Sequence, residues 1–310
     1  MPLLSPHSAR AARGELRTPP RVLLSRPHQR RAGAIYQLPF RQRGWAVGLP
    51  SAARAFDEIS PVYDETRSPL DPTTLDALVD RLHRAGATRV LEVGVGTGRI
   101  AGPLVGRGMS IVGLDAARRM LERARLKGVP RLVQGSAHRL PFPDGAFDAA
   151  LFVHVLHVLD RPETAIREAG RVATGGVYAL VNPTSLEPRP PSTEESALRL
   201  LREDLAAHGW IVPERTGGPG RREAELLGAH PPDETFTIAD EERTEPLAKR
   251  LDMIARRASR HFRTVPPELL DPAIARVRAQ LGDRTKTFRH LELLVHWANA
   301  TARGIPASAR

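Results

Sequence analysis

Apolar and polar positions keep one rhythm through the middle of the chain and another after it. In 72–84, PTTLDALVDRLHR, Leu75, Leu78, Val79 and Leu82 fall on one helical face, and Asp71 before Pro72 supplies an N-cap and a proline at the first helical position. Apolar runs at 89–93, 110–114, 131–134, 147–153 and 176–181 read as strands. Between them, helical patterns run to about residue 107 and over 117–127 and 161–173. Such alternation predicts an α/β fold, a doubly wound sheet with crossover helices. After Pro183 the rhythm breaks. Residues 186–191 (LEPRPP) read as a linker, 192–209 as an amphipathic helix with Leu198, Leu201 and Leu205 on one side, and 213–220 (PERTGGPG) as a glycine-rich loop. A helix over 221–228, a strand near 235–238, helices over 246–261 and 267–281 and a last strand over 287–297 complete the pattern, with no internal repeat.

Composition narrows the classes. With 310 residues, 41% hydrophobic and 26% charged, the chain is long enough for one large or two modest domains of ordinary globular make-up. No run of 18 apolar residues occurs, so no transmembrane helix is expected. The absence of cysteine removes disulfides, thiolate metal sites and a cysteine nucleophile; it leaves the redox compartment open, and the expectation is cytoplasmic. The net charge of +11 comes from 46 basic residues, of which only Lys127, Lys249 and Lys286 are lysine, a skew that reads as codon usage. Residues 1–50 hold nine arginines against one acid, Glu15, so the rest of the chain carries little excess charge and no nucleic-acid footprint.

Those first fifty residues, broken by seven prolines and short of apolar anchors, read as a disordered Arg/Pro-rich tail. A transit peptide, a weak RNA- or lipid-binding arm, and a true start at Val47 or Leu49 remain alternative readings of this segment.

The most informative segment is 90–99, VLEVGVGTGR: an apolar strand runs into Gly94, Gly96 and Gly98. Glycines there permit positive φ and let a ligand approach the backbone, while the following helix aims its N-terminus at it. A tight turn in any α/β protein would also explain the triplet alone. The spacing differs from the Gly-x-Gly-x-x-Gly of dinucleotide enzymes, which argues against a nicotinamide dehydrogenase. An acid, Glu92, stands two residues before the first glycine, where a ligand with an amino group would be welcome. Asp115 ends the second strand, where an acid can accept from both ribose hydroxyls, and Gly135-Ser136-Ala137 follows the third strand.

Together these residues resemble the class I S-adenosylmethionine-dependent methyltransferases, in the group that includes the ubiquinone and menaquinone C-methyltransferases. The resemblance covers residues 51–181 and is carried by FDEISPVYDETR (56–67), VLEVGVGTGR (90–99), GLDAARRMLERAR (113–125), GSAHRLPFPDGAFDAALFVHVLHVL (135–159) and GGVYAL (175–180). It implies a Rossmann-like seven-stranded sheet with a helical lid, S-adenosyl-L-methionine as cofactor and methyl transfer as the activity. The implied organisation is the tail over 1–50, a helical cap over 51–85, the cofactor-binding core over 86–183, and a lid or acceptor region with the last strands over 184–310. By this resemblance Glu92 holds the methionine amino end through water or backbone, and Gly94, Gly96 and Gly98 approach methionine and ribose. Asp115 binds the ribose hydroxyls, Ala116 and Met120 pack on the adenine, and Ser136 and Ala137 meet its rim. The family usually has Asp or Asn where Ser136 stands, and the shorter serine leaves the adenine amino contact to water or unmade. Tyr63 and Arg67 match the segment that closes over the cofactor, and Phe152 and His154 fall where cofactor and acceptor meet.

Displacement at a sulfonium methyl needs aligned reactants in a dry site, and a general base only when the acceptor must lose a proton. His154 is the candidate base by position, with local packing as the alternative; His157 reads as structural. The Asn/Asp-Pro-Pro-Tyr/Phe motif of nucleic-acid amino-methyltransferases is absent from LFVHVL, and no acidic metal cluster stands out. Arg250, Arg256, Arg257, Arg260 and His261 form either a solvated basic face or an anion-recognising wall, and Trp210, Phe236, Phe262 and Trp297 either line a pocket or belong to the core. The expected partner is a small-molecule or lipid-like acceptor. An RNA or protein methyltransferase docked through the basic tail, and a non-catalytic cofactor-binding protein, are the competing readings. The oligomeric state is not legible.

Overall fold

The computed structural model describes residues 35–36, 51–67, 69–182, 193–213, 219–257, 259, 262–298 and 300. The expected linker over 186–191, most of the 213–220 loop, Arg260 and His261 lie outside the described residues, as does the expected tail apart from Ile35 and Tyr36.

Strands β1 (Ile35–Tyr36), β2 (Arg89–Val93), β3 (Ser110–Asp115), β4 (Leu132–Gln134), β5 (Ala149–Val153), β6 (Val177–Val181), β7 (Glu234–Pro246) and β8 (Thr285–Trp297) form one sheet in the order β1-β4-β3-β2-β5-β6-β8-β7. Seven are the expected strands. The two-residue β1, drawn from the segment read as tail, adds an eighth at the edge, paired parallel to β4. Pairing is parallel except at β8, which runs antiparallel to both of its neighbours. The chain leaves β2 toward β3 and β4, then returns to β5 on the other flank of β2. The crevice at this reversal, outside the carboxyl ends of the strands, is where such sheets bind ligands.

Helices α2 (Pro72–Arg84), α3 (Ala101–Gly106) and α4 (Arg118–Leu126) cover one face of the sheet, and α5 (Pro162–Val172) and α7 (Pro219–Ala229) the other. Burial on both faces explains why β5 and β6 are apolar throughout instead of alternating. The Asp71 side chain caps α2 by accepting from the Thr73 amide at 2.8 Å. Ahead of α2, α1 (Ser51–Ile59) lies on α4: Ile59, Met120 and Ala117 are buried together beside Phe56 and Tyr63. Asp57 in α1 accepts from the Arg119 amide at 2.8 Å, satisfying a donor in the first turn of α4.

The last two strands are much longer than the sheet needs. Leu293–Trp297 of β8 pair with β6, whereas Thr285–Glu292 pair with β7 alone. The hairpin therefore continues past Val181, the end of β6, as a two-stranded arm over the carboxyl edge of the sheet. Its turn is occupied by α8 (Lys249–Ala255) and α9 (Pro267–Leu281), and α6 (Thr193–Ala207) packs against both. Leu201, Leu205, Leu251, Ile254, Phe262, Leu270 and Val277 form a core of this helical cap, separate from the two sheet layers. Of the expected aromatics, Phe262 and Trp297 are buried core residues, Trp210 packs on the cap core, and Phe236 lies under the Arg81 guanidinium.

Two boundaries differ from the sequence reading. The strand expected near 235–238 runs to Pro246, and the helix expected over 246–261 is confined to Lys249–Ala255. Residues 239–246, ADEERTEP, lack apolar alternation because the less exposed face of the arm is lined by charged and polar side chains such as Arg243, Glu245 and Lys286. They are held by cross-strand polar pairs instead: Asp240 with Arg289 at 2.6 and 2.7 Å, Thr244 with Thr287 at 2.8 Å, and Glu245 with Lys286 at 3.0 Å.

Candidate active site

The glycine loop begins where β2 ends. Gly94, Gly96 and Gly98 have φ of +77°, +55° and +72°. The amides of Gly94 and Val95 both donate to the Leu114 carbonyl, at 2.7 and 3.0 Å, which folds the loop back over the end of β3. At Gly94 a Cβ would lie 2.6 Å from Val155 Cγ2, so the loop and the turn after β5 touch only because a side chain is missing. At Gly96 a Cβ would meet nothing nearer than 4.0 Å, which leaves open space in which a ligand can approach the backbone.

Two acids stand beneath this loop. Asp115 accepts from the Gly96 amide at 2.9 Å and from the Ala117 amide at 2.8 Å, fixing both the loop and the start of α4. Burial raises its pKa to about 6, partly offset by those amides. Glu92 is 2% exposed, and its Oε2 has no hydrogen-bond partner among the described residues. Burial, with the nearby Asp115 charge added, pushes its carboxyl up to about 8 against the pull of Arg99. A buried carboxyl oxygen with nothing to bind is costly unless a donor arrives, and a cationic amine is the chemical complement.

The other expected contacts divide. Ala116 is half-buried, its carbonyl accepting from Gln134 Nε2 at 3.1 Å. Ser136 Oγ accepts from the His138 amide at 3.2 Å, and Ala137 packs on the core below. Met120 is buried, sharing its cluster with Ile59, Phe56 and Tyr63. Phe152 is the departure: none of its surface is exposed, and it is a packing residue of the core beneath the crevice rather than one of its walls. Alternation along β5 sends it into the layer of Phe147 and Ala165.

Tyr63 and Arg67 belong to a segment stapled across the loop. Asp64, between them, accepts from Thr97 Oγ1 at 2.6 Å and pairs with Lys127 Nζ at 2.7 Å. Thr97 lies between the second and third loop glycines, so this contact fastens the N-terminal cap to the glycine loop. Burial opposes the charge on Asp64, but Lys127 and Thr97 hold its carboxyl below its ordinary value. Arg67 lies 5.1 Å from the Tyr63 ring centre and donates to the Thr66 carbonyl and to Met253 Sδ, both at 3.3 Å. Beside it, a cleft of about 610 Å³ separates residues 64–69 from Glu245 and α8. Within α8's expected basic wall, Arg256 pairs with Glu65 at 2.9 Å, and Arg257 reaches the Val265 carbonyl at 2.9 Å and Asp271 at 3.3 Å. Arg250 turns toward Met253 Sδ at 3.8 Å. Arg256 and Arg257 therefore serve first as struts.

His154 follows β5 directly. Its backbone is left-handed, with φ of +50°, and its amide donates to the Leu180 carbonyl at 3.1 Å, extending the ladder to β6. Its Nε2 lies 2.9 Å from Oε1 of Glu292, a residue 3% exposed on β8. His157 instead contacts Glu223 of α7 at 2.9 Å, and the second Glu223 oxygen accepts from the Asn182 amide at 3.0 Å, a strut that docks α7 on the sheet. Sequence reading passed over Glu292, Asp64, Thr97 and Lys127. The signal for Glu292 was there to use, as the single acid in the apolar run LELLVHW.

Known proteins resemble this chain over its central part. A family model described as "Methyltransferase domain" matches residues 91–181. The chain is 34% identical over 158 residues to a phosphatidylethanolamine N-methyltransferase of Cereibacter sphaeroides, covering 48% of this chain and 77% of that one. It is 31% identical over 201 residues to a nocamycin O-methyltransferase of Saccharothrix syringae, covering 60% and 68%, and 31% identical over 129 residues to a demethylmenaquinone methyltransferase of Renibacterium salmoninarum, covering 40% and 54%. The chain belongs to the class I S-adenosylmethionine-dependent methyltransferases. It is an enzyme of methyl transfer, and its family and fold imply S-adenosylmethionine as the methyl donor. Among the described residues no helix is long and apolar enough to cross a membrane.

Proposed function

We propose that this enzyme transfers the methyl group to a small-molecule or lipid-like acceptor by in-line displacement, with the acceptor entering through the cleft between residues 64–69 and α8. The observation that carries the reading is Glu92, a buried carboxyl with an unpartnered oxygen at the root of a glycine loop whose second glycine faces open space. When bound, S-adenosylmethionine supplies a methyl carbon on a sulfonium. Glu92 would meet its amino end, Asp115 would offer its remaining lone pairs to the ribose hydroxyls, and Arg67 would take its carboxylate. Ala116, Met120, Ser136 and Ala137 border the adenine side. The cap and the stapled 63–67 segment exclude water and align the acceptor, which is most of what a displacement at carbon asks of a protein. Acceptor chemistry is diverse among the relatives, one being named for a phospholipid amine, one for O-methylation and one for a quinone precursor.

The test has two stages. Calorimetric binding of S-adenosylhomocysteine should weaken about a hundredfold in Asp115→Ala, as expected when a charged hydrogen-bond acceptor is lost; unchanged binding would remove the cofactor assignment. Methyl-labelled S-adenosylmethionine should then label the low-mass or lipid fraction of a cell extract. Label confined to material destroyed by nuclease or protease would move the acceptor to RNA or protein.

A further inference from the structure

The geometry assigns Glu292 as the positioning partner of His154, and we propose that the pair takes a proton from an acceptor hydroxyl as the methyl group is transferred. This rests on the methyl-transfer reading above and names the acceptor chemistry within it.

Three histidines meet a glutamate across the β6–β8 region, and they differ in a way that matters. His296 uses both ring nitrogens, with Nδ1 3.0 Å from Glu234 and Nε2 3.1 Å from the Gly175 carbonyl, and it stacks on Tyr178. His157 meets a glutamate already bonded to the Asn182 amide. Both are struts. His154 engages only Nε2, and its Nδ1 has no hydrogen bond among the described residues. Its ring is about a quarter exposed (26%), beside the turn that packs against Gly94. Its left-handed backbone is a conformation that a histidine holds only when its surroundings impose it.

Glu292 settles which nitrogen is free to act. Burial would raise its carboxyl, but the His154 hydrogen bond first, and the Arg243 charge with it, bring it below the ordinary value, so it is ionised at neutral pH. A carboxylate only accepts, so Nε2 of His154 is the donor and, in the neutral ring, Nδ1 holds the lone pair. The other groups near Glu292 do not compete for it. His290 Nε2 stands off at 3.9 Å, and burial together with Arg243 lowers the pKa of that histidine, favouring its neutral form. Arg243 donates to Glu241.

The step balances. The acceptor oxygen forms a bond to the methyl carbon and the carbon–sulfur bond breaks, its electron pair staying on sulfur. The hydroxyl proton goes to His154 Nδ1, giving an imidazolium paired with Glu292, and leaves later to solvent. An amine acceptor would not need this base during the transfer, because a neutral amine attacks with its own lone pair and can lose a proton afterwards. A hydroxyl gains its nucleophilicity by losing the proton as it attacks.

The test begins on the unaltered full-length protein. Two-bond ¹⁵N–¹H spectra of the imidazole rings, assigned with His154→Asn, should show His154 as the Nε2–H tautomer. Glu292→Gln should loosen that preference to a mixture of both tautomers, with Glu292→Asp keeping part of it. Label transfer should fall in Glu292→Gln and recover in part in Glu292→Asp, and the labelled product should be an O-methyl compound. The Nδ1–H tautomer in the unaltered protein, a tautomer unmoved by Glu292→Gln, or label on nitrogen or carbon would overturn the dyad and leave the methyltransferase reading standing. Transfer into no fraction at all would overturn that reading, and the base with it.

Discussion

The sheet around β2, β3 and β5 and the helical cap on the β7–β8 arm are held together by different physics. The first is apolar on both faces, and its charged groups near the crevice are buried acids whose pKa values are raised, Glu92 to about 8 and Asp115 to about 6. The second has a modest core and is strapped by exposed ion pairs whose carboxyls, such as Asp240 and Glu245, are held below their ordinary values. The cofactor half thus keeps one acid, Glu92, discharged until a cation arrives, while the cap's charges are already matched within the protein. The difference teaches where ligand energy can be stored: beneath the glycine loop, in groups left incomplete.

The comparison can be broken hardest at Gly94. Gly94→Val adds a branched side chain where φ is +77° and where a Cβ alone would lie 2.6 Å from Val155. A loss of about 4 kcal/mol, with no cofactor binding, is expected in denaturant melts and calorimetry. In the cap, Leu251→Ala empties a fully buried site and should cost about 3 kcal/mol. Hydrogen exchange should rise in α6, α8 and α9 and stay unchanged in β2–β5; uniform exchange would mean that the cap core is not separate. The two halves also part in their response to pH. Because the Glu92 pKa is raised in the folded protein, the unliganded protein loses stability as pH climbs from the ordinary carboxylate range toward about 8. Between about pH 6 and 8 that loss is roughly 2–3 kcal/mol, and cofactor affinity rises over the same interval as Glu92 ionises for the amine. Glu92→Gln should flatten both slopes, measured by melting temperature and by calorimetry across pH. The smallest effect is expected at the staple joining the N-terminal cap to the loop. Asp64→Asn weakens a partly exposed pair worth about 1 kcal/mol and should raise the cofactor's dissociation constant a few-fold without changing the melt of the cap.

What could be read from the sequence follows the same division. Helix α2 appears over its predicted residues with its predicted cap, and the strands that carry the loop fall within two residues of expectation, because burial on two faces writes long apolar runs into the chain. The acids Glu92 and Asp115 were legible from their distance to the glycines. The arm was not, since residues 239–246 owe their strand conformation to partners some fifty positions away and carry no period of their own. Phe152 could be placed after the loop but not on a face, and a one-residue change of parity decides between crevice and core. Glu292 was legible as an anomaly, an acid in an apolar strand, but its partner at position 154 belongs to a tertiary contact that no local pattern encodes.

The turn of the arm has one further consequence. The Leu247 amide donates to the Arg284 carbonyl at 2.9 Å, so the excursion holding α8 and α9 leaves and rejoins the hairpin at the same point. A segment with adjoining ends can be lengthened, shortened or exchanged without shifting the register of any strand. In architectural terms it is a cassette: residues 248–283 can be replaced as a unit while the strands beneath them keep their register.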